Sequence, residues 1–211
     1  MNRRIQTRSE EVANSVTHGV ALVGAMAYSP FLVVSASRQG LLSLVGVTVF
    51  CVTMILLYLT STLYHALPIG ASKRILLKLD HGAIFLFIAG SYTPFSLGAL
   101  NGPWGWTLLG LVWSIACVGI ALKATERLSH PWLSTGLYLA MGWLVLIAVV
   151  PLLQNVALAG VLWLVAGGLA YSVGVIFFAL DQRIPYAHTV WHAFVVAGTS
   201  CHAIAVIGYS S

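Results

Sequence analysis

Acidic side chains are nearly missing from this chain. Its 211 residues include 5 Asp and Glu and 10 Lys and Arg, so charged groups make up 7% of the sequence, against roughly 25% in ordinary soluble domains. A soluble globule of this size needs a charged skin, and this composition cannot supply one. Cysteine is scarce as well. Cys51, Cys117 and Cys201 form no CxxC pair and fall in three separate apolar stretches, which excludes a disulfide-stapled secreted domain and makes them small packing residues. No internal repeat and no low-complexity tract is present, and disorder is excluded by the shortage of polar residues. The net charge of +5 arises from missing acids rather than from a basic patch, so nothing argues for nucleic-acid binding.

What is abundant is apolar sequence: 59% hydrophobic residues and a mean hydropathy of +0.94. Charges mark where such a chain leaves the hydrocarbon. The uncharged stretches are 12–37, 39–72, 81–122, 128–180 and 184–211. At about 20 residues per transmembrane helix, the third and fourth each hold two spans. These break at Asn101-Gly102-Pro103 and near 151–155, where turn-forming residues gather. A further loop opens at Pro68-Ile69-Gly70. The expected fold is all-α: a single polytopic domain, a bundle of seven transmembrane helices, preceded by a short N-terminal segment over residues 1–11. Period-2 alternation is absent, which argues against a β-barrel.

Basic residues in the short loops orient such a bundle. Arg3, Arg4, Arg8, Lys73, Arg74, Lys78, Lys123, Arg127 and Arg183 fall on one side, and Arg38 alone on the other. The expected N-terminus is cytoplasmic and the C-terminus outside. Val34-Ser35-Ala36 would pass as a signal cleavage site, but Glu10, Glu11, Asn14 and His18 interrupt its approach, so the first span is read as uncleaved.

Ionisable side chains inside a span usually mark a site. His65 lies in the last cytoplasmic turn of the second span, Asp80 opens the third, and His188 and His192 begin the seventh; His18 begins the first. His188 and His192 are i and i+4, so they share a helix face, as do Ser61 and His65. Glu11, Asn14 and His18, at i, i+3 and i+7, form a third polar stripe, which either caps and anchors the first span or supports the site. Two histidines on one helix and one on a neighbour are what a Zn²⁺ site with an open fourth position requires, with Asp80 beside it on the water or on a ligand ring. His81 points about 100° away from Asp80 and reads as a supporting or packing residue. His202, about 15 Å deeper than His192, reads as an interhelical packing residue, and His130, before Pro131, as a solvated loop residue.

These residues resemble a known family. Glu11-Val-Ala-Asn14-Ser15-Val-Thr-His18-Gly19, Ser61-Thr-Leu-Tyr-His65, Leu79-Asp80-His81 with Gly90-Ser91-Tyr92-Thr93-Pro94-Phe95, and the segment 185–202 with His188, His192 and His202 together resemble the hemolysin III-type members of the progestin and adipoQ receptor family. The resemblance implies seven helices with the N-terminus inside and zinc on His65, His188 and His192, with Asp80 and Ser61 beside it. It also implies a link to lipid-amide hydrolysis or to membrane homeostasis. The long N-terminal region of the eukaryotic receptors has no counterpart here, so a soluble hormone is not expected and membrane lipids are the expected partners. The family name implies cytolysis, whereas seven apolar spans read as a resident membrane protein.

Two mechanisms fit one site. In the first, Asp80 is general base for water activated by zinc, and Ser61 helps hold the oxyanion of a lipid amide or ester. In the second, zinc ties the second and seventh spans together in a non-catalytic regulator, with Pro30 and Pro94 as sites for kinks. A transporter would place charge through the whole membrane depth; here only His202 lies deep.

Overall fold

The computed structural model describes residues 4, 6–128 and 130–210. Arg3, counted above for orientation, lies outside them. Among the described residues there is no strand, and seven helices are long and apolar enough to cross a membrane. They are α1 (Arg8–Ser37), α2 (Leu41–Ala66), α3 (Ala71–Leu97), α4 (Pro103–Ala124), a composite fifth span, α7 (Leu158–Leu180) and α8 (Ala187–Tyr209). The fifth span joins α5 (Pro131–Gly142), a 3₁₀ stretch (Trp143–Ala148) and α6 (Val149–Asn155).

Local chemistry sets the ends. Thr7 and Glu10 form a reciprocal capping box at the start of α1, satisfying two amides that have no partner within the helix. Gly40 (φ 117) and Gly102 (φ 132) take turn conformations that side chains avoid, and Pro103 follows at the first position of α4. The breaks at 68–70 and 101–103 fall as expected.

Three boundaries differ from the charge-based expectation. The break expected near 151–155 falls at Val156 and Ala157 instead: Pro151 stands in the first turn of α6, where its missing N–H costs no helical bond, and the helix runs on to Asn155. Helix α1 begins at Arg8, not after residue 11, so His18 stands about three turns inside it. Helix α3 begins at Ala71, so Lys73, Arg74 and Lys78 are helical, and Asp80 sits in its third turn rather than at its start. The reason is physical. Charge marks the edge of the hydrocarbon, but Lys and Arg are good helix formers, and no breaker stands between Gly70 and Asp80.

The helices pack as a ring in which neighbours in sequence touch and α8 closes back against α1. The exterior is apolar: Val20, Phe31, Leu162 and Ile176 are exposed, while Asn14, Ser61, His65 and His192 are buried. That is the inverse of a soluble protein and what lipid as solvent demands. Small residues bring backbones close: a Cβ on Gly46 would lie 2.9 Å from the Cα of Pro94. In the fifth span, Tyr92 of α3 repairs the helix interruption. Its hydroxyl lies 2.7 Å from the Gly142 carbonyl and accepts the Val145 amide at 2.9 Å. Inside the ring is a cavity of about 550 Å³, lined mostly by apolar side chains from α2 to α8.

Candidate metal centre

Three histidines meet beside the cavity, which His188 and His192 line. His65 comes from the last turn of α2, and His188 and His192 from the first two turns of α8. One ring nitrogen of each lies within 4.8 Å of the others. The ring centroids are 4.7 Å apart for His188–His192 and 5.0 Å for His65–His192.

Each ring is held by its Nδ1. His65 Nδ1 meets Glu11 Oε2 at 2.7 Å, His188 Nδ1 meets Asp181 Oδ2 at 3.1 Å, and His192 Nδ1 meets the Asn14 carbonyl at 3.3 Å. All three partners are acceptors, so each Nδ1 donates its hydrogen and each Nε2 keeps its lone pair. This is how histidine ligands of metal sites are oriented. His65 Nε2 is buried and has no hydrogen-bond partner among the described residues. Such an atom costs about 1–3 kcal/mol if nothing meets it, and a metal ion is what three neutral imidazole nitrogens suit. The donor set therefore fits a metal and could hold one.

A layer of polar contacts fixes these partners. Lys73 donates to Glu11 Oε1 at 2.9 Å, completing a Lys73–Glu11–His65 chain. Thr189 donates to Asn14 Oδ1 at 2.6 Å, and the Asn14 amide donates to Gln6 at 2.8 Å, so Asn14 joins α1 to α8 through side chain and backbone alike. His18 stacks on His192 with centroids 3.7 Å apart and planes at 9°. His18 Nδ1 lies 2.7 Å from Ser61 Oγ, and Ser61 lines the cavity together with Asp80. Asp80, Ser61, His18, His188 and His192 all line the cavity.

The polar stripe Glu11, Asn14, His18 thus surrounds the histidines. His81 stays out of the cluster; its carbonyl accepts from Tyr138 OH at 2.9 Å. His202 turns its Nδ1 to the Gly198 carbonyl at 2.9 Å and takes no part. His130 is exposed.

Sequence reasoning missed Asp181 and the arm that steadies it. Arg4 makes two bonds to Glu10, at 2.8 and 2.6 Å, and one to the Asp181 carbonyl at 3.1 Å. Glu10 Oε1 also accepts the Tyr186 amide at 2.9 Å. The turn before α8, with Tyr186 at φ 60, is thereby tied to the start of α1. The available signal was spacing: Asp181 lies seven residues before His188 in the loop that leads to it.

Residues 6–203 match the family described as Haemolysin-III related. The chain is 42% identical to "Hemolysin-3" of Bacillus cereus over 210 residues, covering 99% of this chain and 95% of that protein. It is 44% identical to the "Hemolysin-3 homolog" of Bacillus subtilis (strain 168) over 204 residues, covering 96% and 95%. The human "Monocyte to macrophage differentiation factor" is 27% identical over 205 residues, covering 95% of this chain and 84% of that protein.

Proposed function

The chain belongs to the Haemolysin-III-related family of multi-pass membrane proteins, and from that premise we propose that it is a zinc-dependent hydrolase of a lipid amide or ester. We place it in the bacterial plasma membrane with its N-terminus in the cytoplasm. The observation that carries this reading is the convergence of three imidazoles, each held by Nδ1, beside a cavity that His188, His192 and Asp80 line.

His65, His188 and His192 would hold the ion. Bound there, zinc supplies Lewis acidity, making water more acidic and a carbonyl more electrophilic. The chain's own groups do the rest. Asp80 takes the proton of the attacking water and returns it to the leaving group. Ser61 lines the cavity beside Asp80, with its hydroxyl held by His18 Nδ1. The Ser61 hydroxyl serves the oxyanion. Glu11, Asp181 and Asn14 hold the three rings. Leu146, Val149 and Val165 line the cavity and are exposed, which supports lateral entry of an acyl chain between the fifth span and α7.

The test is a paired measurement on Asp80→Asn: bound zinc and lipid-amide or ester turnover on one preparation. Retained zinc with turnover lowered by about 10²–10⁴ is the expected result. Retained zinc with unchanged turnover removes Asp80 as the base. A wild-type chain that loads zinc but turns over no amide or ester moves the reading to a non-catalytic regulator of membrane state. One observation favours that second reading: the ion would join α2 to α8 and lock the ring.

A further inference from the structure

The cavity also reaches solvent, between α3 and the turn that follows α4. Arg74, Lys78, Lys123 and Glu126 line it there, three cations to one carboxylate. That carboxylate is already engaged, since Glu126 pairs with Lys78 at 2.6 Å. Glu126 is held at φ 61, in the left-handed region that residues other than glycine seldom adopt. Lys78 keeps the exposed Glu126 carboxyl below its usual range, so it stays anionic.

Lys123 differs from its neighbours. It is half-buried on the last turn of α4, it lines the same cavity, and it has no anionic partner among the described residues. An ammonium partly withdrawn from water and left unpaired loses hydration that nothing on the protein replaces. Inward from these cations come Asp80 and His188, and beyond them the apolar wall of Phe87, Leu108 and Val161. The lining runs in the order cation, polar centre, hydrocarbon. A volume of about 550 Å³ falls within the roughly 300–1,000 Å³ range of small-ligand sites.

We propose that this cavity takes an amphiphile with one long apolar chain and an anionic headgroup, phosphate or carboxylate, with the headgroup on Lys123 and Lys78 and the chain in the ring. The ligand anion displaces Glu126 from Lys78, so the bridge opens as the headgroup seats. The proposal names the substrate class for the hydrolase reading and rests on that reading for the fate of the carbonyl. The headgroup site itself stands on the cavity and its cations.

The experiment measures equilibrium binding to the full chain in nanodiscs of neutral phosphatidylcholine. The probes are oleoyl lysophosphatidic acid, the monoacylglycerol with the same chain, and inorganic phosphate as competitor. The anionic lipid should bind about tenfold more tightly than the neutral one. Lys123→Gln should remove most of that preference, about a tenfold loss as for a charged hydrogen bond, and leave the neutral lipid unchanged. Arg127→Gln, exposed and outside the cavity lining, should change neither. Equal binding of the two lipids overturns the proposal. So does a loss in Arg127→Gln equal to that in Lys123→Gln, which reports surface potential alone. Inorganic phosphate competing as well as the lipid assigns the site to free phosphate and also overturns it. Because the readout is binding, a headgroup preference without turnover removes the hydrolase and keeps this site, and turnover without headgroup preference does the reverse.

Discussion

His18 and His192 lie face to face, their centroids 3.7 Å apart and their planes within 9°. His192 is one of the three histidines that can hold the ion, while His18 is outside that set and binds Ser61. The stack makes His18 a wall that fixes the plane of its neighbour, and links that plane to Ser61.

A flat ring at position 18 should therefore matter more than its nitrogens for metal retention. His18→Phe keeps the stack, and zinc affinity should fall only a few-fold. His18→Ala leaves a gap beside His192, and the fall should reach about tenfold, the lower end for supporting residues. Chelator competition on both variants measures it. Loss of the metal altogether in His18→Phe would make His18 a ligand instead.

Wild-type protein should carry about one zinc per chain for a three-histidine site. His65→Ala, His188→Ala and His192→Ala should each lose most of it, and His130→Ala none. Elemental analysis of purified protein decides, and full zinc in all three site variants would dismiss the centre.

The carboxylates behind the rings should act through them. Asp181→Asn and Glu11→Gln each remove the charge that orients an Nδ1–H. Zinc affinity should drop about 10–100-fold in each. Unchanged affinity in Asp181→Asn would mean that His188 is held by α8 alone.

Close packing gives a stability test away from the site. A Cβ on Gly46 would press on the backbone of Pro94, whereas one on Gly110 meets nothing within 4 Å. Gly46→Ala should destabilise by about 1–3 kcal/mol, as overpacking does, and Gly110→Ala should not. Thermal unfolding in one detergent compares the pair, and a neutral Gly46→Ala would contradict the α2–α3 approach.

Orientation is tested by labelling. In a chain freed of its native cysteines, Gln39→Cys should react with an impermeant reagent added outside whole cells, and Ser72→Cys should not. The reverse pattern would invert the bundle.

His65, His188 and His192 are legible in the sequence because helical spacing and span depth are both local quantities. Two of the three share a helix face, and the third lies at the same level of another span. The break at Pro68-Ile69-Gly70 is legible for the same reason. What surrounds the histidines is not. Asp181 sits in a loop whose path depends on Arg4 and Glu10, and the Lys73–Glu11–His65 chain exists only because α1, α2 and the start of α3 converge. The helical start of α3 was hidden by its charges, which report on solvent rather than on backbone. The interruption of the fifth span was hidden because Tyr92, which sustains it, belongs to another helix.

The three histidines come from opposite parts of the chain, one from the second span and two from the last. A ribosome delivers them in that order. Until α8 has entered the membrane, His65 stands without its two companions, and Asn14 has neither Thr189 nor His192 to hold. Capture of an ion by these three residues would therefore be an event of late biogenesis, and a chain stalled before residue 187 could not retain one through this site. Metal content in a membrane fraction would then count finished molecules, separating them from partly inserted ones that an antibody to the N-terminus reads as equal.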